Sequence, residues 1–294
     1  RSTLSSSSAA SDVYKRQTNY DLKIAHCGNL ACSIGNTITA VDTAGKVGQY
    51  SALAIGIDGL PIISYQDNTS SPFSLKVLHC GNVDCTDGNV FTLVDPGSGT
   101  ESFGYRTTIT IGTDGLPVIS YVNNMGDLKV AHCGDIQCTT GNTITKVDNL
   151  SSINSTSIST GADGLPVIAY IESTSFTLKV LHCGNTACTS ANTINTVDSD
   201  ATYASMTIGR DGLPIISYMD WTSKDLKVVH CGDVSCSSGN TIFNLDSANH
   251  VGEATSITIG VDGFPVISYL DVTIFKLKVA HCSNTFCMPY WRRR

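Results

Sequence analysis

The side chains most able to do chemistry in this chain are six histidines, each followed at once by a cysteine. His26, His79, His132, His182, His230 and His281 lie 53, 53, 50, 48 and 51 residues apart. The cysteines form six C-x4-C pairs with none left over: Cys27/Cys32, Cys80/Cys85, Cys133/Cys138, Cys183/Cys188, Cys231/Cys236 and Cys282/Cys287. Imidazole and thiolate together are zinc ligands. However, a histidine and the cysteine beside it point to opposite faces of a strand, and no second ligand pair stands near any C-x4-C. An even set of pairs around short Gly/Ser-Asn/Asp turns reads instead as six local disulfides, made in an oxidising compartment and pinning the loops they close.

Other polar residues recur with the same period. Lys23, Lys76, Lys129, Lys179, Lys227 and Lys278 each precede a histidine, and Asp42, Asp95, Asp148, Asp198 and Asp246 follow the cysteines. One reading is an acid–base site in every copy. The favoured one is a strand-to-strand ion pair beside a hydrogen-bonded histidine, since each copy supplies the same partner to a charge that burial would otherwise penalise. A third set, Asp67, Asn123, Glu172, Asp220 and Asp271, opens a loop two residues after a recurring tyrosine. Tyr50, Phe103, Tyr105, Tyr203 and His250 fall in the connections expected on the same face, and Trp221 follows Asp220 directly. Carboxylates and amides beside aromatics suit sugars, whose rings stack while their hydroxyls are hydrogen-bonded. Plain solvated turns are the alternative. Acidic loops also hold calcium, but no D-x-D-x-D-G run is present, so no cofactor is called for.

The elements that position these residues are legible in each copy. An alternating stretch such as Ser256–Gly260 leads into Asp-Gly (Asp58-Gly59, Asp114-Gly115, Asp163-Gly164, Asp211-Gly212, Asp262-Gly263), a hairpin signal. Pro61, Pro117, Pro166, Pro214 and Pro265 then open a strand where a missing N–H is tolerated. The Leu-Lys-x-x-His-Cys stretch is the third strand, and Asn-Thr-Ile-x-x-(Val/Leu)-Asp the fourth. Four antiparallel strands in a repeat of about 50 residues predict an all-β chain, a β-propeller of four-stranded blades. The strand signals of residues 20–287 would close imperfectly as five blades, and with the N-terminal segment set aside as non-native a fragment of a ring of six to eight blades is expected.

The copies DGLPIISY at Asp58, DGLPVISY at Asp114, DGLPVIAY at Asp163, DGLPIISY at Asp211 and DGFPVISY at Asp262, each followed by Leu-Lys-(Val/Ile), carry a family likeness. The chain resembles bacterial secreted and cell-surface propeller-like proteins with D-G-x-P-x-I-(S/A)-Y repeats. That resemblance implies a propeller fold and an extracytoplasmic setting, and fixes no single activity. The His-Cys and the second Cys of each copy depart from it.

Bulk properties narrow the function. A formal net charge of −7 argues against phosphate-neutralising contact with nucleic acid, and no apolar run is long enough for a spanning helix. Residues 1–17 fall outside the repeat, and Asp12–Gln17 reads as translated sequencing-adapter codons, so the segment is set aside as non-native. Residues 18–287 are expected to form one propeller domain, with 288–294 an irregular tail. Sialidase-type chemistry is disfavoured because Asp and Gly are adjacent rather than spaced as S-x-D-x-G. The repeats also offer only Arg106 and Arg210 for a carboxylate-binding cluster. No copy departs from the others in a way that marks one special site. The sequence therefore points to a monomeric, non-enzymatic, extracellular or cell-surface propeller that binds a protein or envelope partner. Its ligand-binding candidates are Asp67, Asn123, Glu172, Asp220, Trp221, Asp271, Tyr50 and Tyr203. A lectin-like propeller is the alternative, and a glycoside hydrolase a more remote one.

Overall fold

The computed structural model describes residues 20–29 and 32–288. The adapter-like segment 1–17 and most of the C-terminal tail lie outside these residues. The described chain is all-β, with 21 strands in six antiparallel sheets. The first sheet pairs β1 (Leu22–His26) with β2 (Thr37–Asp42). The second contains β3 (Val47–Ile55), β4 (Pro61–Asp67), β5 (Ser74–His79) and β6 (Val90–Asp95) in chain order. The third repeats this with β7 (Tyr105–Ile111), β8 (Pro117–Val122), β9 (Asp127–His132) and β10 (Thr143–Asn149). The fourth has β11 (Ile153–Thr160), β12 (Pro166–Glu172), β13 (Thr177–His182) and β14 (Thr193–Asp198). In the fifth are β15 (Ala201–Ile208), β16 (Pro214–Asp220), β17 (Leu226–His230) and β18 (Thr241–Asp246). The last holds β19 (Val251–Ile259), β20 (Pro265–Asp271) and β21 (Lys276–His281). These are the blades of a β-propeller. The chain divides into two compact units between Asp148 and Asn149.

Within each unit the blades pack face to face. In the first, Ile62, Leu75 and Val77 of one sheet meet Phe103, Ile119 and Ala131 of the next. In the second, Val167, Ile171 and Val180 meet Ala201, Met206 and Ile216, while Leu226 and Val228 meet Val251, Ile257 and Ile267. This explains why the middle strands read as unbroken apolar runs: both of their faces are covered, as in β8, where all six residues are buried. The first strands of successive blades lie side by side, β3 by β7 in one unit and β11 by β15 by β19 in the other.

All six expected disulfides are present: Cys27–Cys32, Cys80–Cys85, Cys133–Cys138, Cys183–Cys188, Cys231–Cys236 and Cys282–Cys287, with Cα atoms 4.7 to 4.8 Å apart. No thiolate is left for a metal at these positions, and the bridges fit an oxidising environment. Two features of these loop pins go beyond the C-x4-C spacing. First, the second cysteine of each pair is left-handed, a backbone uncommon outside glycine. Its φ is 49° at Cys32, 53° at Cys85, 54° at Cys138, 52° at Cys188, 53° at Cys236 and 54° at Cys287. The tight turn imposes this, since each of these residues donates its N–H three residues back, as from Cys188 to Asn185 O and from Cys236 to Asp233 O. Second, most bridges are core rather than surface. Cys85, Cys138, Cys188, Cys236 and Cys287 are buried, and Cys236 packs with Cys231 in the apolar cluster shared by the fourth and fifth sheets. The loop is closed further by the asparagine just before the fourth strand: Asn89 donates to the Cys85 carbonyl and accepts from Gly81 N.

Candidate functional site

The recurring histidines and lysines are fasteners. From the second copy on, each third-strand histidine meets the aspartate of its own Asp-Gly turn through Nε2. The distance is 2.9 Å for His79–Asp58, 2.7 Å for His132–Asp114, His182–Asp163 and His230–Asp211, and 2.8 Å for His281–Asp262. The other oxygen of each aspartate caps the turn, as where Asp58 accepts from Leu60 N. His26 instead meets Asp84 of the following sheet, through Nδ1 at 2.6 Å.

The recurring lysine stands directly across from the recurring tyrosine, in the pairs Tyr65–Lys76, Tyr121–Lys129, Tyr218–Lys227 and Tyr269–Lys278. Both reach the aspartate that ends the preceding blade. Asp42 accepts from Tyr65 at 2.7 Å and Lys76 at 3.1 Å, and Asp95 from Tyr121 at 2.5 Å and Lys129 at 2.7 Å. Asp198 accepts from Tyr218 at 2.5 Å, and Asp246 from Tyr269 at 2.7 Å. The ion pair thus joins one blade to the next, where strand-to-strand pairing within a blade was expected. Burial, then the adjoining carboxylate, pushes the Tyr65 and Tyr218 phenols well up. Burial also acts to raise Asp42 and Asp246, but hydrogen bonds from the tyrosine, the lysine and a backbone N–H outweigh it and hold both below the usual carboxylate range.

The acidic loop set lies where a second strand ends and the next first strand is about to begin, but its polar atoms are already engaged. Asp67 accepts from Thr69 N and lies 3.3 Å from Lys76 Nζ. Asp220 accepts from Thr222 N and Ser223 N and meets Lys227 at 2.5 Å. Asp271 accepts from Thr273 N and Ile274 N, with Lys278 at 3.8 Å. Glu172 meets Lys179 at 2.7 Å, and that hydrogen bond holds its carboxyl below the usual range. Asn123 accepts from Met125 N and Asp127 N. These residues brace loops.

Of the aromatics at the same blade ends, Tyr203 and Trp221 are exposed, Tyr50, Phe73, Tyr105 and Phe176 are half-buried, and Phe103 is buried. Backbone bonds fix the geometry: Trp221 N donates to Asp200 O, Ala201 N to Phe176 O, Val251 N to Lys224 O, and Phe103 N to Phe73 O. The loops at Phe73, Phe176 and Lys224 therefore hold the start of the next first strand, and the Trp221 bond ties that loop to the first strand of its own blade. The first strands also bulge there, with left-handed residues Tyr50 (φ 53°), Arg106 (φ 52°), Tyr203 (φ 55°) and Ala254 (φ 49°) inside register shifts. A bulge re-aims side chains. In the first unit Tyr50 lies 5.9 Å from Tyr105, which lies 6.3 Å from Phe73, and Arg106 sits over the Tyr50 ring. In the second, Trp221, 43% exposed, stacks on Phe176 at 5.0 Å while Lys224 Nζ sits 3.5 Å over its ring. A ligand ring stacking on that side of Trp221 has to displace Lys224.

Phe73 and Phe176 were not among the sequence candidates. Their signal was an aromatic two residues before the third-strand leucine, shared by Tyr20 and Phe275 and replaced by Gly126 and Lys224 in the other copies.

One copy does depart from the rest, contrary to the expectation of uniform repeats. Among the described residues Glu253 is the single carboxylate on any first strand. It is half-buried, directly before the Ala254 bulge, and its Oε1 lies 3.2 Å from Nε2 of His250, the one histidine outside the Leu-Lys-x-x-His-Cys stretches. On the adjacent β15, Thr202 stands directly before the bulged Tyr203 as Glu253 does before Ala254, and it accepts from Asn154 Nδ2 at 3.1 Å. Asp200, half-buried beside Trp221, directly precedes β15.

No family model and no curated protein matches the chain. Solved structures match the fold. A protein of unknown function from Dyadobacter fermentans is 13% identical over 83% of this chain and 79% of its own, with a TM-score of 0.61. A Hadza microbial sialidase is 14% identical over 76% of this chain, which spans 53% of it, with a TM-score of 0.56. An exo-β-1,3-galactanase from Phanerochaete chrysosporium is 8% identical over 83% of this chain and 62% of its own, with a TM-score of 0.51. The expectation of a non-enzymatic scaffold for a protein or envelope partner is corrected by this company: the shared fold is that of enzymes named for glycoside cleavage. The sequence argument rested on the likeness of the repeats, and Glu253 is a residue in which one copy differs from the others.

Proposed function

We propose that the chain acts on glycosides, as a hydrolase of neutral sugar chains outside the reducing cytoplasm. The observation that carries this is Glu253, a half-buried carboxylate on a first strand, at the blade end that also bears exposed aromatics. Glycoside cleavage needs a carboxylic acid to protonate the leaving oxygen and a second carboxylate to act as nucleophile or base. Glu253 takes one of these roles. Asp200, without an ion-pair partner among the described residues, takes the other. Tyr203, and Trp221 once Lys224 is displaced, offer faces on which sugar rings stack. The chain's net charge of −7 favours neutral over polyanionic substrates. Six disulfides and a repeat resembling secreted bacterial proteins support an extracellular setting.

The test is a panel of aryl glycosides and β-1,3-linked galactan given to the oxidised chain. Hydrolysis that falls at least about 100-fold in Glu253→Gln supports the reading. Hydrolysis undiminished in Glu253→Gln, or none by folded protein on any substrate, counts against it.

A further inference from the structure

His250 and Glu253 are two departures from the repeat that the fold brings into contact. The residues matching His250, each with its carbonyl accepting from the loop after the second strand, are Lys46, Ser102, Ser152 and Asp200, and no other described first strand has an acid. These positions vary from copy to copy, and among the described first strands the last alone sets a histidine and a carboxylate there side by side. The backbone of His250 is fixed on both sides: its N–H donates to Thr273 Oγ1 at 3.1 Å, and its carbonyl accepts from Val272 N at 2.9 Å. Between the pair, Gly252 has φ 92° and passes so close to β17 that a Cβ would stand 3.1 Å from the Leu226 Cα. Only glycine takes that path without strain, and the path sets His250 and Glu253 on one side. His250 Nε2 is shut off from solvent and makes no full hydrogen bond, although Glu253 Oε1 lies 3.2 Å away, out of line. A buried ring nitrogen left in this way is costly unless it is used. Of the other charged groups at this end, Asp271, paired across from Val251, is held by its turn and by Lys278, and Asp200 lies before the neighbouring strand.

We propose that His250 is a positioning and proton-exchanging partner of Glu253, resting on the glycosidase reading above. In the step, the N–H bond at Nε2 of the imidazolium breaks and an O–H bond forms at Glu253 Oε1, turning an ion pair into a neutral pair. The Glu253 acid then gives that proton to the departing glycosidic oxygen. As that glycosidic bond breaks and water adds to the sugar, the Glu253 carboxylate takes a proton from the water and returns it to His250 Nε2, restoring the ion pair.

Two measurements on the full oxidised chain test this. In NMR spectra with 15N-labelled histidine, Glu253→Gln should shift the His250 ring resonances and leave those of His230 and His281 in place. Ring signals of His250 indifferent to Glu253→Gln overturn the proposal whether or not the chain hydrolyses anything. On whichever glycoside the wild type cleaves, His250→Gln should lower kcat about 10- to 100-fold with little change in KM, alter one limb of the pH–rate profile, and add little further loss in Glu253→Gln. Full kcat with an unaltered pH profile overturns it. Hydrolysis by no form of the chain sinks the glycosidase reading instead, and the NMR result then decides the pairing alone.

Discussion

Asp220 shows how a residue with the right chemistry can be committed elsewhere. Two turn N–H groups and Lys227 occupy its oxygens, and although burial acts to raise its carboxyl, these contacts hold it below the usual range. Replacing it by asparagine removes the charge that Lys227 faces, so Asp220→Asn should lower unfolding stability by about 1–3 kcal/mol, read as a urea midpoint shift. Loss of glycoside affinity with unchanged stability would return Asp220 to the site. Tyr218→Phe keeps the ring's packing and removes only the hydroxyl bonded to Asp198, so a smaller loss of about 1 kcal/mol is expected. The sequence located the tyrosine, the lysine and the aspartate of this latch but not their partnership. Asp198 and Lys227 belong to successive blades, and period-2 reasoning works within a sheet, not between sheets. His79 and Asp58 were likewise visible as a strand histidine and a turn aspartate, and only the hairpin's curl brings them to 2.9 Å.

The turns and bulges decide where the side chains go. Gly212 has φ 82° and its missing Cβ would sit 2.7 Å from the Ala162 Cβ of the preceding blade, whereas Gly59, φ 80°, has open space around it. Both substitutions to alanine incur the left-handed penalty of about 1–2 kcal/mol, and Gly212→Ala adds a clash. Thermal melting should therefore rank Gly212→Ala well below Gly59→Ala, and equal losses would contradict the blade contact. Each disulfide closes a short loop, so Cys133→Ser with Cys138→Ser should lower stability by about 2 kcal/mol. Four strands per repeat, the hairpins and the bridges were all legible because Asp-Gly, Pro and paired cysteines are local signals. The burial of Cys188 and Cys236 was not, because it depends on how the blades stack rather than on the C-x4-C spacing. The first-strand bulges were also hidden, since Tyr50, Arg106, Tyr203 and Ala254 share a backbone and no residue type. They are what turn the first strands toward the candidate site.

At the scale of the molecule the latch between blades and the lysine–carboxylate pairs beside it recur, so pH acts on many at once. Asp42, Asp220, Asp246 and Glu172 titrate below the ordinary range when folded. Their contribution is complete above the unfolded carboxylate values near pH 4 and is lost as pH falls through the lower folded ones. Tyr65, Tyr218 and Tyr269 are raised, so their contribution is complete below about pH 10 and is lost as pH rises beyond it. Urea midpoints should be flat between these limits and fall on both sides, and a peak confined to neutral pH would contradict the latch account. The propeller itself was readable from the period, while its likeness to glycoside-cleaving enzymes was not, because that likeness lies in backbone geometry at 8–14% identity. The most direct measurement is hydrolysis of aryl glycosides and β-1,3-galactan by the oxidised chain beside Glu253→Gln. Cleavage by the wild type that falls at least about 100-fold in the variant is the predicted result. Equal cleavage by both, or none by a demonstrably folded chain, would contradict the account.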